Sequence, residues 1–250
     1  MFPLQAGEKV NVVLPLTGQA RSFPAELFVF MATAQGTVKK TGLDEFSNPR
    51  KAGIIAVDLD DADFLIGAAL TDGHHDVMLF SDGGKAVRFD EDDVRGMGRQ
   101  ARGVRGMMLD GGQSVIAMLV AEDESQSVLT ATENGYGKRT SIVEYTRHGR
   151  GTKGMIAIQQ TPRNGKVVAA TLVRPDDEIM LITDRGVLVR TRVSEIRELG
   201  RATQGVTLIA LDDGTKLIGL QRIVENDANG GGEDNGDAGD DAAQAPPTGA

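Results

Sequence analysis

The sequence predicts an all-β protein, built as a propeller-like array of four-stranded blades. Three observations lead to this fold class: a repeat with a period of about 50 residues, short apolar runs that end in glycine turns, and the lack of any 3.6-residue pattern longer than one or two turns. A fixed period of this size is typical of propellers and related repeat arrays. Short Val/Ile/Leu/Thr-rich runs bounded by Gly, Asn and Asp indicate strands joined by tight turns.

Four hairpin segments mark the period. They are "MATAQGTVKKT" (31–41), "LFSDGGKAVRF" (79–89), "TATENGYGKRT" (130–140) and "LITDRGVLVRT" (181–191). In each, an apolar run ends in a polar turn, and the turn reaches a glycine: Gly36, Gly84, Gly135 and Gly186, which lie 48, 51 and 51 residues apart. A cation follows each glycine after four residues and an acid after nine. The acids are Glu45, Asp93, Glu144 and Glu195.

Each hairpin is followed by a loop and further strands. The loop is rich in Gly and Arg and closes in a glycine and a short apolar strand, as in "RQARGVRGMML" (99–109). A polar turn then leads to another apolar run, as in "GGQSVIAMLV" (111–120). These units predict blades near residues 27–70, 77–120, 128–173 and 179–224, which together form one domain over residues 1–224. We interpret residues 1–26 as the end of a preceding blade.

The charge of the chain is unevenly distributed. Its formal net charge is -9, from 36 acidic and 27 basic residues. Seven of the acids lie in residues 225–250, which hold no base and almost nothing that a core could bury. We therefore expect a disordered acidic tail there. The remaining residues are close to neutral and have room for a basic stripe.

Several apparent catalytic and metal motifs fail on inspection. Residues 96–101 match a dinucleotide pattern, but no helix is predicted after them. Residues 58–63 lack the turn glycine of a calcium loop, and His74 and His75 have no further paired ligand, so we expect solvated turns at both places. The sequence contains no cysteine, no Walker loop and no nucleophile beside a base. We expect no catalytic residue, no metal ion and no cofactor in this chain.

The remaining chemistry is carried by cations in two sets. The first set recurs in every blade with an acid five residues later, so an ion pair within the blade and a ligand contact are both open; its members are Lys40, Arg88, Arg139 and Arg190. Lys138, whose counterpart is Lys39, is predicted to be a better contact than Arg139. The second set lies in the Gly-rich loops, where glycine lets the backbone approach a phosphate and arginine offers forked donors. Its members are Arg50, Lys51, Arg99, Arg102, Arg105, Arg147, Arg150, Lys153 and Arg201.

The predicted partner of these cations is duplex DNA, bound without sequence readout; a solvated loop face is the alternative. Aromatic residues make up 4% of the chain, so few rings can stack on splayed bases. No recognition helix is predicted for the major groove. Basic loops on successive blades would contact phosphates around a curved rim and bend the duplex. Bending 20–30 base pairs costs on the order of 1–6 kcal/mol, so several blades must contribute contacts.

Several segments resemble the C-terminal DNA-wrapping domain of the A subunits of bacterial DNA gyrases. They are "VMLFSDGGKAVRF" (77–89), "GVRGMML" (103–109), "LTATENGYGKRT" (129–140), "TKGMIAI" (152–158), "LVRTRVSEI" (188–196) and "TQGV" (203–206). The resemblance implies a six-bladed β-pinwheel whose blades exchange strands and whose rim wraps duplex DNA. It also implies a place in an ATP-dependent type II topoisomerase of two A and two B subunits. There, wrapping directs strand passage toward negative supercoiling, and ATP and Mg²⁺ act elsewhere in the enzyme.

Two departures from the family pattern shape the expectation. The basic box of its first blade, Gln-Arg-Arg-Gly-Gly-Lys-Gly, is not found, and neither Tyr136 nor Tyr145 matches its catalytic tyrosine. We therefore expect an N-terminally truncated fragment that is not an enzyme on its own. The alternatives are the corresponding domain of topoisomerase IV and a β-propeller scaffold that binds an acidic protein. The lack of a signal segment, of a membrane-spanning run and of cysteine predicts a cytoplasmic, nucleoid-associated location without a membrane partner.

Overall fold

The structure is a computed structural model that describes residues 4, 7, 9–16, 23–24, 26–50 and 53–223. The predicted acidic tail, Lys51 and half of residues 1–26 lie outside the described residues. The described chain consists of β-strands and single 3-10 turns, arranged in four antiparallel sheets. The all-β, blade-array prediction is therefore confirmed.

Each sheet is built around one of the predicted hairpins and one inner strand. Blade 1 contains β1 (Phe28–Thr33), β2 (Thr37–Gly42) and β3 (Leu65–Thr71), and blade 2 contains β4 (Asp76–Ser81), β5 (Lys85–Asp90) and β7 (Val115–Ala121). Blade 3 contains β8 (Ser127–Thr132), β9 (Tyr136–Ser141) and β11 (Val167–Val173), and blade 4 contains β12 (Glu178–Thr183), β13 (Leu188–Arg192) and β15 (Leu217–Ile223). The hairpins share one turn, in which a glycine with positive φ donates its amide three residues back, as Gly84 does to Ser81 O at 3.0 Å.

The fourth, outermost strand of a blade comes from the next repeat. β6 (Val104–Arg105) pairs with β2, β10 (Met155–Ile156) pairs with β5, and β14 (Val206–Thr207) pairs with β9. Each of these strands follows a glycine with positive φ that lies against the preceding blade. A Cβ added to Gly103, Gly154 or Gly205 would lie 2.3–2.6 Å from a backbone carbonyl oxygen of that blade. Only glycine fits such a close approach, so the glycine at this position of each repeat permits the strand exchange.

Three of the hydrophobic cores lie between blades. One joins Phe30 of blade 1 to Phe89 of blade 2, and another joins Phe80 of blade 2 to Tyr145 of the next repeat, whose rings meet edge to face with centroids 5.9 Å apart. A third joins Leu129 to Leu181. The inner strands β3, β7, β11 and β15 contact one another in that order. The inner strands thus form a hub, and the exchanged strands lie at the outer rim.

Blade 4 differs from the other three, because its sheet has three strands. Among the described residues no strand pairs with the outer edge of β13, where β6, β10 and β14 pair in the other blades. Val187 and Leu188 at this edge are 52% and 59% exposed. The exchange rule explains the difference, since the outer strand of a blade belongs to the repeat that follows it.

Candidate nucleic-acid interface

Three Gly- and Arg-rich loops lead from the 3-10 turns of one repeat to the outer strand of the preceding blade. They cover residues 95–107, 146–158 and 197–209, and we call them together the loop ridge. The 3-10 turns before them end at Asp93, Glu144 and Glu195, the acids predicted from the period. Because each loop must cross to the preceding blade, the repeat places all three at the outer rim.

Equivalent arginines link the loops in series. Arg99 Nη1 donates to Ile55 O at 2.9 Å, Arg150 Nη1 to Arg105 O at 3.1 Å, and Arg201 Nη1 to Ile156 O at 2.9 Å. In each case the acceptor is the carbonyl of the second residue after the repeat's closing glycine. These three predicted contact residues therefore have a structural role, and they bring neighbouring loops together.

Backbone hydrogen bonds also join neighbouring loops. Met108 N donates to Thr152 O at 2.8 Å, and Gln159 N donates to Thr203 O at 2.8 Å. The ridge is thus a continuous surface across three repeats, built from loops that are about 50 residues apart in sequence.

The most exposed predicted cations of the ridge form replaceable ion pairs. Arg102 contacts Asp58 at 3.0 Å and Asp60 at 2.6 Å, and its side chain is 66% exposed. The hydrogen bond that it donates to Asp58 raises the pKa of Arg102, so its charge is permanent. Exposed ion pairs of this kind add little to stability, so a phosphate can replace the carboxylate at little cost.

Lys153 has the same character, whereas Arg147 is exposed but also pairs with Asp76, whose side chain is 4% exposed. Arg147 contacts Asp76 at 2.8 Å and Asp90 at 3.2 Å, and Lys153 contacts Asp110 at 2.6 Å. The hydrogen bond from Lys153 lowers the pKa of Asp110, so this pair stays charged. The side chains of Arg147 and Lys153 are more than half exposed.

Two further predicted cations lie at the surface without an ion pair among the described residues. Arg105 is exposed in the exchanged strand β6, between its neighbours on the ridge. Arg50 is exposed in the corresponding loop of the first repeat. Its neighbour Lys51 lies outside the described residues.

The expectation that Lys138 and Lys39 are available for a ligand is corrected by their burial, since they are 0% and 1% exposed. Lys138 Nζ donates to Gly200 O at 2.5 Å and to Arg201 O, and Lys39 Nζ donates to Ala56 O at 2.7 Å and to Arg99 O. Burial lowers the pKa of both lysines, to about 8 for Lys138. Both ammonium groups thus stabilise the loop backbone through hydrogen bonds from the buried side of the loops.

The first set of recurrent cations is also held by the protein. Lys40 contacts Asp92 at 3.2 Å, and Arg88 contacts the buried Asp76 at 2.6 Å while also donating to Ile142 O and Tyr145 O. Arg139 lies 3.6 Å from Glu198, and Arg190 pairs with Glu178. Lys40 and Arg88 are 5% exposed and face their ion partners. Their charges are therefore not accessible to DNA, contrary to the predicted contact.

Two of the recurrent acids, Glu45 and Glu144, contact the backbone of the next repeat, and the described residues show no ion pair between them and Lys40 or Arg139. Glu45 accepts a hydrogen bond from the backbone N–H of Arg99 at 3.1 Å, and Glu144 accepts one from that of Arg201 at 3.1 Å. The acids therefore fix the start of the next loop of the ridge. Sequence spacing missed this because the partner belongs to the following repeat.

One buried acid was missed by the sequence reasoning. Glu91 is 0% exposed, at a position where the other repeats have Leu43, Ile142 and Val193. It accepts hydrogen bonds from Thr71 Oγ1 at 2.5 Å and Gly73 N at 3.2 Å, and its carboxylate lies within 4.8 Å of ligand atoms of Asp72 and His75. These bonds give Glu91 a structural role in the turn between blades 1 and 2.

No helix of the described chain is long and apolar enough to cross a membrane.

Strand-exchanged blades around a hub, with a cation-bearing ridge on the outer rim, define a β-propeller class of repeat domain. The family model "DNA gyrase C-terminal domain, beta-propeller" matches residues 28–72, 75–122, 126–174 and 177–223, and the chain belongs to this family.

The curated relatives agree with this family. The chain is 53% identical over 225 residues to the DNA gyrase A subunit of Salmonella typhimurium strain LT2 and 51% identical over 225 residues to that of Escherichia coli strain K12. Each match covers 90% of this chain and 25% of the relative, so the chain spans about a quarter of their length.

Solved structures show the same fold. A structure of the DNA gyrase A C-terminal domain matches with a TM-score of 0.72 and 29% identity, covering 81% of this chain and 68% of that chain. The C-terminal domain of DNA topoisomerase IV matches with a TM-score of 0.82 and 23% identity, covering 89% of this chain and 68% of that chain. At this identity the second match concerns the fold alone. The curated relatives therefore favour gyrase over topoisomerase IV.

Proposed function

We propose that the chain binds duplex DNA along the loop ridge without sequence readout, and that it bends the duplex around the outer rim. The observation that carries the proposal is the continuity of the ridge, in which two arginine-to-carbonyl bonds join the three cation-bearing loops. Phosphate contacts made by one loop alone cannot offset the bending cost of about 1–6 kcal/mol. A continuous ridge lets several blades contribute to that cost together.

The proposed context is the C-terminal part of a DNA gyrase A subunit. In that setting the bound DNA segment directs strand passage toward negative supercoiling, and the chain works in the cytoplasm with B subunits and a second A subunit. ATP and Mg²⁺ are used by other parts of that enzyme. The chain contributes wrapping rather than catalysis, since Tyr145 is buried and Tyr136 carries the guanidinium of Arg163 over its ring at 4.6 Å.

Binding and wrapping can be tested separately on the whole chain. For binding, we expect the affinity for a duplex of about 150 base pairs to fall steeply with salt, with a log–log slope of about 0.9 per phosphate neutralised. For wrapping, we expect nicked circular DNA that is religated in the presence of the chain to have a different linking number from the same DNA religated without it. Binding without a change in linking number would contradict wrapping. A lack of duplex binding at low salt, with retained binding to an acidic protein, would favour the scaffold alternative.

A further inference from the structure

The turn between blades 1 and 2 departs from the other repeats at two positions that the fold brings together. In every blade, the first residue of the 3-10 turn donates its N–H to the carbonyl of the residue just before the first hairpin strand. The bonded pairs are Leu43 and Leu27, Glu91 and His75, Ile142 and Gln126, and Val193 and Asp177, at 2.8–3.2 Å. Blade 2 differs from the others, because both members of its pair carry side chains that can bind a metal ion.

The carboxylate of Glu91 is buried without a compensating charge. Its position is apolar in the other three repeats, so the fold itself does not require an acid there. Glu91 accepts hydrogen bonds from Thr71 Oγ1, Gly73 N and His75 N, but its side chain forms no ion pair with any described residue. Lys40 donates to the backbone carbonyl of Glu91 and forms its ion pair with Asp92 instead. Buried charges in proteins are normally paired or bound to a metal ion.

A second buried atom beside Glu91 also lacks a partner. His75 Nδ1 is buried and makes no hydrogen bond within the described chain, although it lies 2.8 Å from Asp72 Oδ1. Two ligand atoms bound to one ion, with bonds of about 2.0–2.2 Å, lie about 3 Å apart. The hydrogen bond from His74 N lowers the pKa of Asp72, so this carboxylate is ionised at neutral pH. Ligand atoms of Asp72, His75 and Glu91 all lie within 4.8 Å of one another.

We propose that Asp72, His75 and Glu91 together bind a divalent transition-metal ion, with Zn²⁺ as the best match. The two carboxylates neutralise the charge of the ion, the imidazole supplies a nitrogen ligand, and water completes the coordination. The imidazole favours Zn²⁺ over Mg²⁺ and Ca²⁺, which prefer oxygen ligands. The hydrogen bonds that Thr71 Oγ1 and Gly73 N donate to Glu91 would fix the orientation of its carboxylate towards the ion.

Such an ion would join three parts of the chain. Asp72 and His75 lie in the connection from β3 of blade 1 to β4 of blade 2, and Glu91 begins the 3-10 turn that precedes the ridge loop 95–107. Binding would therefore stabilise the junction between the two blades. Glu91 follows His75 by 16 residues, so the sequence spacing does not reveal this cluster and predicts no metal ion.

The test is calorimetric titration of Zn²⁺ into the full chain after treatment with EDTA and desalting. We expect one site per chain that a large excess of Mg²⁺ does not block. We also expect the melting temperature to rise by about 5–10 °C when Zn²⁺ exceeds its Kd a hundredfold. His75→Ala and Glu91→Gln should each lose this site and this rise. Thr71→Val keeps the three ligands but releases Glu91, so it should weaken the affinity about 10–100-fold.

His74→Ala is the matched control, because His74 is the exposed neighbour of His75 in the same turn. This variant should keep both the site and the rise in melting temperature. Glu91→Gln changes a buried group, so circular dichroism in EDTA checks its folding, and His75→Ala tests the site independently at a partly exposed position. A chain that binds no Zn²⁺ would overturn the proposal. So would binding that is unchanged in His75→Ala, or a loss in His74→Ala equal to that in His75→Ala.

Discussion

Blade 3 and blade 4 have the same hairpin and inner strand, but they differ in what covers their outer edge. In β9 of blade 3 the side chain of Lys138 is completely buried, whereas its equivalent in β13, Val189, is half-buried and lies beside exposed neighbours. The cover of blade 3 is the loop 197–209 from the next repeat. The comparison teaches that a repeat does not complete its own blade, so a four-stranded blade requires a repeat together with its successor.

The largest expected effect comes from the glycine that docks each exchanged strand. Gly154→Ala places a Cβ 2.3 Å from Ala86 O, while Gly53→Ala meets nothing within 4 Å. Both glycines have positive φ, which by itself costs about 1–2 kcal/mol for alanine. We expect Gly154→Ala to lower the free energy of unfolding by about 2–5 kcal/mol, since overpacking adds about 1–3 kcal/mol. Urea unfolding measures the difference, and equal losses in both variants would show that docking does not require glycine.

A smaller effect is expected on the pH dependence of stability, because the loop that covers blade 3 buries Lys138. Burial lowers the pKa of Lys138 to about 8, whereas an unfolded lysine titrates near a pKa of about 10.4. Between these values the unfolded chain binds more protons than the folded one, so the free energy of unfolding should rise with pH. From about pH 7 to about pH 9.5 the rise attributable to Lys138 is on the order of 1–2 kcal/mol.

Lys138→Met should remove this part of the rise in urea unfolding at the two pH values. Lys166→Met is the matched control, because Lys166 is exposed and the hydrogen bond that it donates to Asp82 raises its pKa above that window. Equal pH dependence in the unmodified chain and in Lys138→Met would contradict the effect of burial. Lys39, whose pKa burial also lowers, adds a rise that persists in both variants.

The strand exchange also explains which features the sequence could predict and which it could not. The 51-residue period and the glycine turns predicted the hairpins, because these depend on residues close together in the chain. The strand exchange brings Lys138 together with Gly200, 62 residues later, and the period alone does not say which blade a loop covers. One signal was present: the position of Lys39 and Lys138 holds Val87 and Val189 in the other repeats, as expected of a core position.

The same distinction applies to the exposure of the predicted contact cations. Loop cations such as Arg102 and Lys153 lie at the surface, because Gly-rich loops have little apolar surface to bury. Arg88 was placed among contact residues because its partner, Asp76, precedes it by 12 residues across the hairpin, and a search for an acid five residues later does not find it. Ion pairs across strands follow the register, which a repeat pattern alone does not give.

The central claim, that DNA lies on the loop ridge, is tested most directly by comparing two double variants in salt titrations of duplex binding. Arg102→Ala with Arg105→Ala removes two cations from the ridge, and Arg174→Ala with Arg222→Ala removes two from the hub, where they contact Asp123 and Asp177. Both variants change the net charge equally. We predict that the ridge variant lowers the salt slope by up to about 2 and weakens binding to all sequences alike, while the hub variant keeps the slope of the unmodified chain. An equal loss in both variants, or a loss confined to certain DNA sequences, would contradict the account.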